Sequence, residues 1–250
     1  MKATDETIDA TVDADEIARF AAQAANWWDP SGSFRPLHRL NPARLQFIRN
    51  ALIAYFGRDP RSLTPFAGLS LCDIGCGGGL IAEPMARLGF ELTAIDAVEA
   101  AIAVAREHAA ASGLEINYRR ETAESLARAG LPFDVVLALE LIEHVADPAV
   151  LLTACARLIK PGGVFIGATL NRTPQSFALA VIGAEYVMRW LPRGTHDWRR
   201  FLRPSEFALG LRRVGLRPTK LKGMRYHLAS GDWELADDLS VNYLVMAIKR

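Results

Sequence analysis

Leu69-Ser70-Leu71-Cys72-Asp73-Ile74-Gly75-Cys76-Gly77-Gly78-Gly79-Leu80 is the stretch whose reading decides the fold. Leu69 to Ile74 is mostly apolar and bounded by turn residues, the pattern of a short buried strand. Gly75, Gly77, Gly78 and Gly79 make a tight turn in which no Cβ keeps a ligand from the backbone. An amphipathic helix is expected next, with Leu80, Ile81, Met85 and Leu88 as its apolar members. A strand, a glycine turn and a helix start bring free backbone N–H groups together, as in nucleotide-type sites.

Charge and spacing narrow the choice of nucleotide. The dinucleotide fingerprint G-x-G-x-x-G needs glycine where Leu80 stands. Asp73, two residues before the first glycine, suits a cationic ligand better than a pyrophosphate. A second strand, Glu91 to Ile95, runs into Asp96, whose carboxylate suits two ribose hydroxyls. An acid at each of these strand ends, around G-x-G-x-G, resembles the class I S-adenosylmethionine (SAM) methyltransferases. The expected fold is therefore α/β and Rossmann-like, with a seven-stranded, mostly parallel sheet and helices on both faces.

The 250 residues, half of them apolar, suffice for one large core, and the net charge of +1 gives no global field for nucleic acid. Cys72, Cys76 and Cys155 form no CxxC pair, which fits a reducing compartment. No signal peptide is visible, and no apolar run reaches the ~20 residues of a membrane span. A cytoplasmic, bacterial-style protein is expected.

Residues 1–14 are polar and acidic and are expected to be disordered, with a single methyltransferase domain over 15–250. Its helical cap would cover 15–57. There a first helix from Asp15 precedes Asn26-Trp27-Trp28-Asp29, and a second is expected to start at Asn41-Pro42. Trp27 and Trp28 either stack on an aromatic or isoprenoid ligand or anchor a helix on the sheet. Further strands are expected at Ile116–Arg119, Phe133–Leu139 and Val164–Ala168, the last after a Lys160–Gly163 turn. Leu216–Leu221 and Tyr243–Ile248 are expected to close the sheet. Residues 171–203 form an insertion too long for an ordinary connection.

The fourth strand runs into Glu140-Leu141-Ile142-Glu143-His144-Val145. If that segment is helical, residues 140, 143 and 144 share one face at i, i+3, i+4 spacing. Two carboxylates and an imidazole would then meet at the end of a central strand, where α/β sheets bind ligands. His144 and Glu143 are the candidate catalytic residues. A phenolic acceptor, with a pKa of about 10, is helped by a base or a metal. A divalent ion (Mg or Zn) on Glu140, Glu143 and His144 is the second expectation for this segment.

Several stretches together are similar to the ubiquinone biosynthesis O-methyltransferase family. They are Asn26-Trp27-Trp28-Asp29, residues 34–44 (Phe-Arg-Pro-Leu-His-Arg-Leu-Asn-Pro-Ala-Arg), residues 73–79, residues 140–145, Thr169-Leu170-Asn171-Arg172-Thr173 and Gly194-Thr195-His196-Asp197-Trp198. The resemblance spans about residues 15–200, with Val241-Asn242-Tyr243 similar too, and the tail after Tyr226 matching weakly. It implies methylation of catechol-type hydroxyls on polyprenylated ubiquinone precursors, at two steps. These would be 3-demethylubiquinol to ubiquinol, and 2-polyprenyl-6-hydroxyphenol to its methoxyphenol. By motif position it implies SAM contacts at Arg44, Gly75, Asp96 and Leu139, beside Asp73 and Gly77 of the glycine turn. Arg44 would hold the SAM carboxylate as a bidentate pair. The Glu140, Glu143, His144 set falls where the family's proposed divalent-ion ligands lie.

Phe177 to Arg203 joins a strongly apolar run to several arginines. It suits either an interfacial element on an anionic membrane or a lid over the site. A peripheral location on the inner face of the bacterial inner membrane follows, with other ubiquinone biosynthesis proteins as possible partners. Two other functions compete: a SAM methyltransferase acting on carbon or nitrogen of another small metabolite, and a membrane-associated scaffold that binds SAM without turnover.

Overall fold

The computed structural model describes residues 14–179, 197–227 and 231–250. The chain runs α1 (Ala14–Gln23), α2 (Arg35–Phe56), β1 (Ser70–Ile74), α3 (Ala82–Arg87), β2 (Glu91–Asp96), α4 (Glu99–Ala111), β3 (Asn117–Arg120), α5 (Ala123–Arg128) and β4 (Phe133–Leu139). It continues through α6 (Pro148–Leu158), β5 (Ile159–Leu170), α7 (Pro174–Ser176), α8 (Pro204–Arg213), β6 (Leu216–Tyr226), β7 (Trp233–Ala236) and β8 (Asn242–Lys249). Apart from Ala14, the expected N-terminal tail lies outside the described residues, as does most of the 171–203 insertion.

The sheet has eight strands in the order β3-β2-β1-β4-β5-β8-β6-β7, not the expected seven. Strands β1 to β5 pair in parallel, and β8, β6 and β7 are antiparallel additions. The extra strand is β7, an edge segment paired to β6 from Gly223↔Ala236 to Tyr226↔Trp233. Lys160–Gly163 does not separate a helix from a strand as expected. It is looped out where the β4–β5 register jumps from Phe133↔Ile159 to Val135↔Val164.

Alternation along the strands builds two cores. Leu71, Leu92, Val135, Leu137, Val164, Ile166, Leu244 and Met246 pack under α2, α3 and α4. Their neighbours Cys72, Ile74, Val136, Phe165, Val245 and Ala247 pack under α5, α6 and α8. Asp73, next to Cys72, thus falls on the face covered by α2, the helix that carries Arg44.

The second helix starts earlier than expected. Pro36 occupies its first turn and Pro42 lies inside it, so Asn41 is not a cap. Pro42 has no N–H to give the His38 carbonyl, and the Asn41 side chain instead accepts from Arg44 Nη1 at 3.1 Å. The helix expected after the glycine turn is shorter, because Leu80 and Ile81 still belong to the turn.

Candidate active site

The glycine turn is tied to β2 from both sides. Gly75 and Cys76 donate to the Ile95 carbonyl at 2.8 and 3.1 Å. Asp96 accepts from Gly77 N–H at 2.9 Å through one oxygen and from Val98 N–H at 2.8 Å through the other. Each oxygen keeps a second lone pair for a hydroxyl. Asp96 is recessed, so burial raises its pKa, while the Val98 and Gly77 amides oppose the shift.

Both tryptophans lie on this turn. The Trp28 indole donates to the Gly78 carbonyl at 2.9 Å and stacks on His108 at 3.4 Å and 3°. His108 in turn sits 2.6 Å from the buried Glu83 carboxylate. Trp27 stacks on Phe34 at 3.7 Å, and a Cβ on Gly77, whose φ is +54°, would lie 2.4 Å from its ring. Only glycine satisfies both that backbone angle and that approach. Of the two readings open for this pair, the contacts favour anchoring: Trp27 and Trp28 fasten the N-terminal segment over the turn, and Trp27 also forms part of the cavity wall.

A cavity of about 640 Å³ opens at the C-terminal ends of β1, β2 and β4. Arg44, Asp73, Gly75, Gly77, Asp96, Leu139, Glu140, Glu143 and His144 all line it, so every candidate residue from the sequence is brought to one space. Val98, Ala101, Thr122 and Ala123 line it toward the β2–β3 end of the sheet, and Met224, Tyr226 and Trp233 line it toward the β6–β7 end.

Between these ends lies a buried charge cluster. Arg44 is 3 % exposed, and its Nη2 lies 2.8 Å from Glu140 Oε1. The contact is an ion pair by distance but lacks the alignment of a hydrogen bond. Asp73 has one oxygen with no hydrogen-bond partner among the described residues. Burial, with the Asp96 charge adding to it, raises its pKa to about 7, and Arg44 only partly offsets this. Glu143 is buried, and its Oε2 accepts from the Thr169 hydroxyl at 2.9 Å. Burial and then the nearby Glu140 carboxylate push its pKa well above the usual carboxylate range. Such orphaned buried groups fit a zwitterionic ligand that brings a cation to Asp73 and a carboxylate to Arg44. They fit SAM.

The helical face expected for the metal set is corrected. Residues 140–145 form a turn, closed by His144 N–H donating to the Leu141 carbonyl at 2.9 Å, so no helical face gathers the three side chains. Glu140 takes a left-handed φ of +50°, and its carboxylate meets Arg44. His144 Nδ1 lies instead 3.2 Å from Glu16 Oε2 on α1. Among the described residues no three His, Cys, Asp or Glu side chains converge into a metal cage. The donor set does not fit a divalent ion in this arrangement.

Glu16 is the site residue that sequence reasoning missed. It touches His144, pairs with Arg19, and shares the approach with Phe20, whose ring meets His144 edge-on at 5.5 Å. The desolvation of Glu16 is outweighed by His144 and Arg19, and its pKa is lowered. An acid on a surface helix more than a hundred residues upstream gives no local signal of such a contact.

Comparison with known proteins adds an independent line. Residues 72–167 match the methyltransferase domain family model. The chain is 56% identical over 240 residues to the ubiquinone biosynthesis O-methyltransferase of Dinoroseobacter shibae, covering 96% of this chain and 97% of that one. It is 52% identical over 243 residues to the protein of the same name from Parvibaculum lavamentivorans, covering 97% and 96%. Among solved structures, a possible histamine N-methyltransferase from Thermotoga maritima superposes with a TM-score of 0.60 at 18% identity, over 94% and 99% of the two chains. Magnesium protoporphyrin IX methyltransferase from Synechocystis with bound SAH superposes with a TM-score of 0.58 at 17% identity, over 85% and 86%. At such identities these structures speak for the fold.

Proposed function

The chain belongs to the ubiquinone biosynthesis O-methyltransferase family, and we propose that it methylates catechol-type hydroxyls of polyprenylated precursors, 3-demethylubiquinol and 2-polyprenyl-6-hydroxyphenol. The enzyme is a SAM-dependent O-methyltransferase. The observation that carries the reading is the cavity that Arg44, Asp73, Asp96, Glu143 and His144 line together. When bound, SAM supplies a methyl group on sulfonium sulfur; its C–S bond breaks as the acceptor oxygen forms the new C–O bond. Asp96 holds the ribose, Asp73 faces the cationic end, Arg44 holds the carboxylate, and Leu139 packs beside the ring. This alignment is most of what the protein must supply for an in-line displacement.

His144 takes the acceptor's hydroxyl proton. With a proton on Nδ1 directed to Glu16, its lone pair lies on Nε2, the form a base needs. Glu143, whose carboxyl is pushed above the usual range by burial and by Glu140, lines the same cavity beside His144 and is held by the Thr169 hydroxyl, so it is the second group facing the acceptor. The decisive experiment is methyl transfer from labelled SAM to a short-tailed demethylubiquinol analogue, with product identification. Methylation on carbon or nitrogen, or none at all, would overturn the reading. The same assay in excess chelator tests the metal: persisting activity would remove it, and loss restored by Mg²⁺ or Zn²⁺ would support it.

Asp96→Ala should weaken SAM binding by roughly 1.5–3 kcal/mol, the range for hydrogen bonds to a charged group. Calorimetry on the folded variant is the check, and unchanged affinity would remove Asp96 from the ribose site.

Delivery of a long isoprenoid tail is assigned to Phe177–Arg203 on an anionic membrane, at the cytoplasmic face. Support comes from Phe177 and Leu179, which are 41% and 51% exposed, and from the exposed Arg199 and Arg200 close by. Residues 180–196 lie outside the described residues, and no described helix is long and apolar enough to cross a membrane. Co-sedimentation with anionic liposomes should fall in high salt and on replacing Phe177 and Leu179 by serine, each arginine near the surface adding about 1 kcal/mol. That double variant should keep its activity on a soluble short-tailed acceptor. Equal loss on short- and long-tailed acceptors would make the segment a catalytic lid.

A further inference from the structure

Arg44 presents an unusual combination. Its guanidinium is buried, yet Nε and Nη2 both lack hydrogen-bond partners among the described residues. These two N–H groups lie along one edge of the guanidinium plane, the fork that grips a carboxylate bidentately. Nη1 is already used, donating to Asn41 at 3.1 Å, which fixes the plane. Glu140 approaches the open edge at 2.8 Å from Nη2 but out of line for a hydrogen bond. The fork is therefore occupied by charge and left unsatisfied by geometry.

Glu140 reaches this position through an uncommon backbone. It has the one left-handed φ of any non-glycine residue described, at the exit of β4. Such a conformation costs on the order of 1–3 kcal/mol and persists where surroundings hold it. The Glu140 N–H donates to the Ala168 carbonyl at 2.9 Å, so the backbone is pinned while the carboxylate can turn. Arg44 also acts on Asp73 and Glu143, which places the fork at the strand end where the amino-acid part of SAM would lie.

We propose that Glu140 is a built-in competitor for the carboxylate of SAM, occupying the Arg44 fork in the unliganded enzyme and yielding it when that carboxylate arrives. The inference rests on the assignment of Arg44 as the carboxylate holder. An uncompensated arginine buried beside an open cavity would be costly, and Glu140 covers that cost until the ligand replaces it. The exchange also makes the site selective. A ligand that has the adenosine and sulfur of SAM but no carboxylate cannot displace Glu140, so it gains nothing from Arg44.

The expected sign is opposite to that of an ordinary binding residue. Titration calorimetry on the full chain, with S-adenosylhomocysteine and 5′-methylthioadenosine as probes, separates the cases. Glu140→Gln should bind S-adenosylhomocysteine roughly 5- to 50-fold more tightly, since the competent state is no longer a minor population. Its affinity for 5′-methylthioadenosine, which has no carboxylate, should stay within about two-fold. Arg44→Ala should weaken S-adenosylhomocysteine selectively. Glu140→Ala is the second variant, with thermal melts confirming that each is folded. Equal or weaker binding of S-adenosylhomocysteine by folded Glu140 variants, with Arg44→Ala still weakening S-adenosylhomocysteine more than 5′-methylthioadenosine, would overturn the competitor while leaving the proposed function intact. Loss of selectivity for the carboxylate in Arg44→Ala is expected; unchanged affinity there would overturn both the carboxylate assignment and the competitor.

Discussion

His144→Ala should lower kcat by about 10²- to 10⁴-fold, the span for removing a general base, with affinity for S-adenosylhomocysteine unchanged within a few-fold. On the proposed function the imidazole meets the acceptor, whereas Asp96 and the glycine turn hold the cofactor. Its loss therefore falls on the proton transfer and spares cofactor binding. Glu16→Gln should give a smaller fall in kcat, because it removes the partner that fixes the imidazole tautomer but keeps the ring. Single-turnover kinetics with a phenolic acceptor provide the check. Full activity of His144→Ala on an acceptor that is still protonated at the assay pH would remove the base from this residue.

Asp73→Asn should stabilise the unliganded enzyme above neutral pH and cripple SAM binding. Burial holds the native Asp73 carboxyl protonated up to about pH 7, against an ordinary value of 3.8. Between those values the unfolded chain has lost a proton that the native state keeps. Wild-type stability from this group is thus complete at low pH and declines as pH rises toward 7. At about 1.4 kcal/mol per unit, the loss reaches at most about 4 kcal/mol. The Asn variant should lack this decline in melts taken from pH 5 to pH 8. Wild-type SAM affinity should rise over the same window, as Asp73 ionises toward the cationic ligand. A parallel pH profile for wild type and variant would show that Asp73 is not the titrating group.

The parallel sheet and its glycine turn were legible because their signals are local. Apolar runs such as Phe133–Leu139 and the Gly75–Gly79 cluster depend on near neighbours alone, and observed and expected β4 coincide. Asn41-Pro42 misled because a proline is tolerated inside a long helix when packing of Phe47, Ile48 and Leu52 outweighs one lost hydrogen bond. The Glu140–Val145 turn misled for a related reason: i, i+3, i+4 spacing carries meaning only in a helix, and the left-handed Glu140 prevents one there. β7 was missed since Trp233–Ala236 is short and joins an edge, where pairing with β6 decides its state. Arg44, Asp73, Asp96 and His144, which line the cavity, could be named from sequence, but Glu16 and the pairings of Arg44 and His144 could not, because those contacts are long-range.

The fastening of Trp27 and Trp28 has a consequence for synthesis. Trp28 docks on Gly78 and His108, and Glu16 on His144, so the earliest-made part of the cap waits for sequence well beyond it. At about 5–20 residues per second, the roughly hundred intervening residues take on the order of 5–20 s to emerge. Throughout that interval Phe20 lacks His144, Trp28 lacks Gly78 and His108, and Trp27 and Phe34 have only each other, so the cap remains sticky on the nascent chain. The ribosome thus delivers the cap first and seats it last, and the cofactor pocket is roofed only after β4 has joined the sheet.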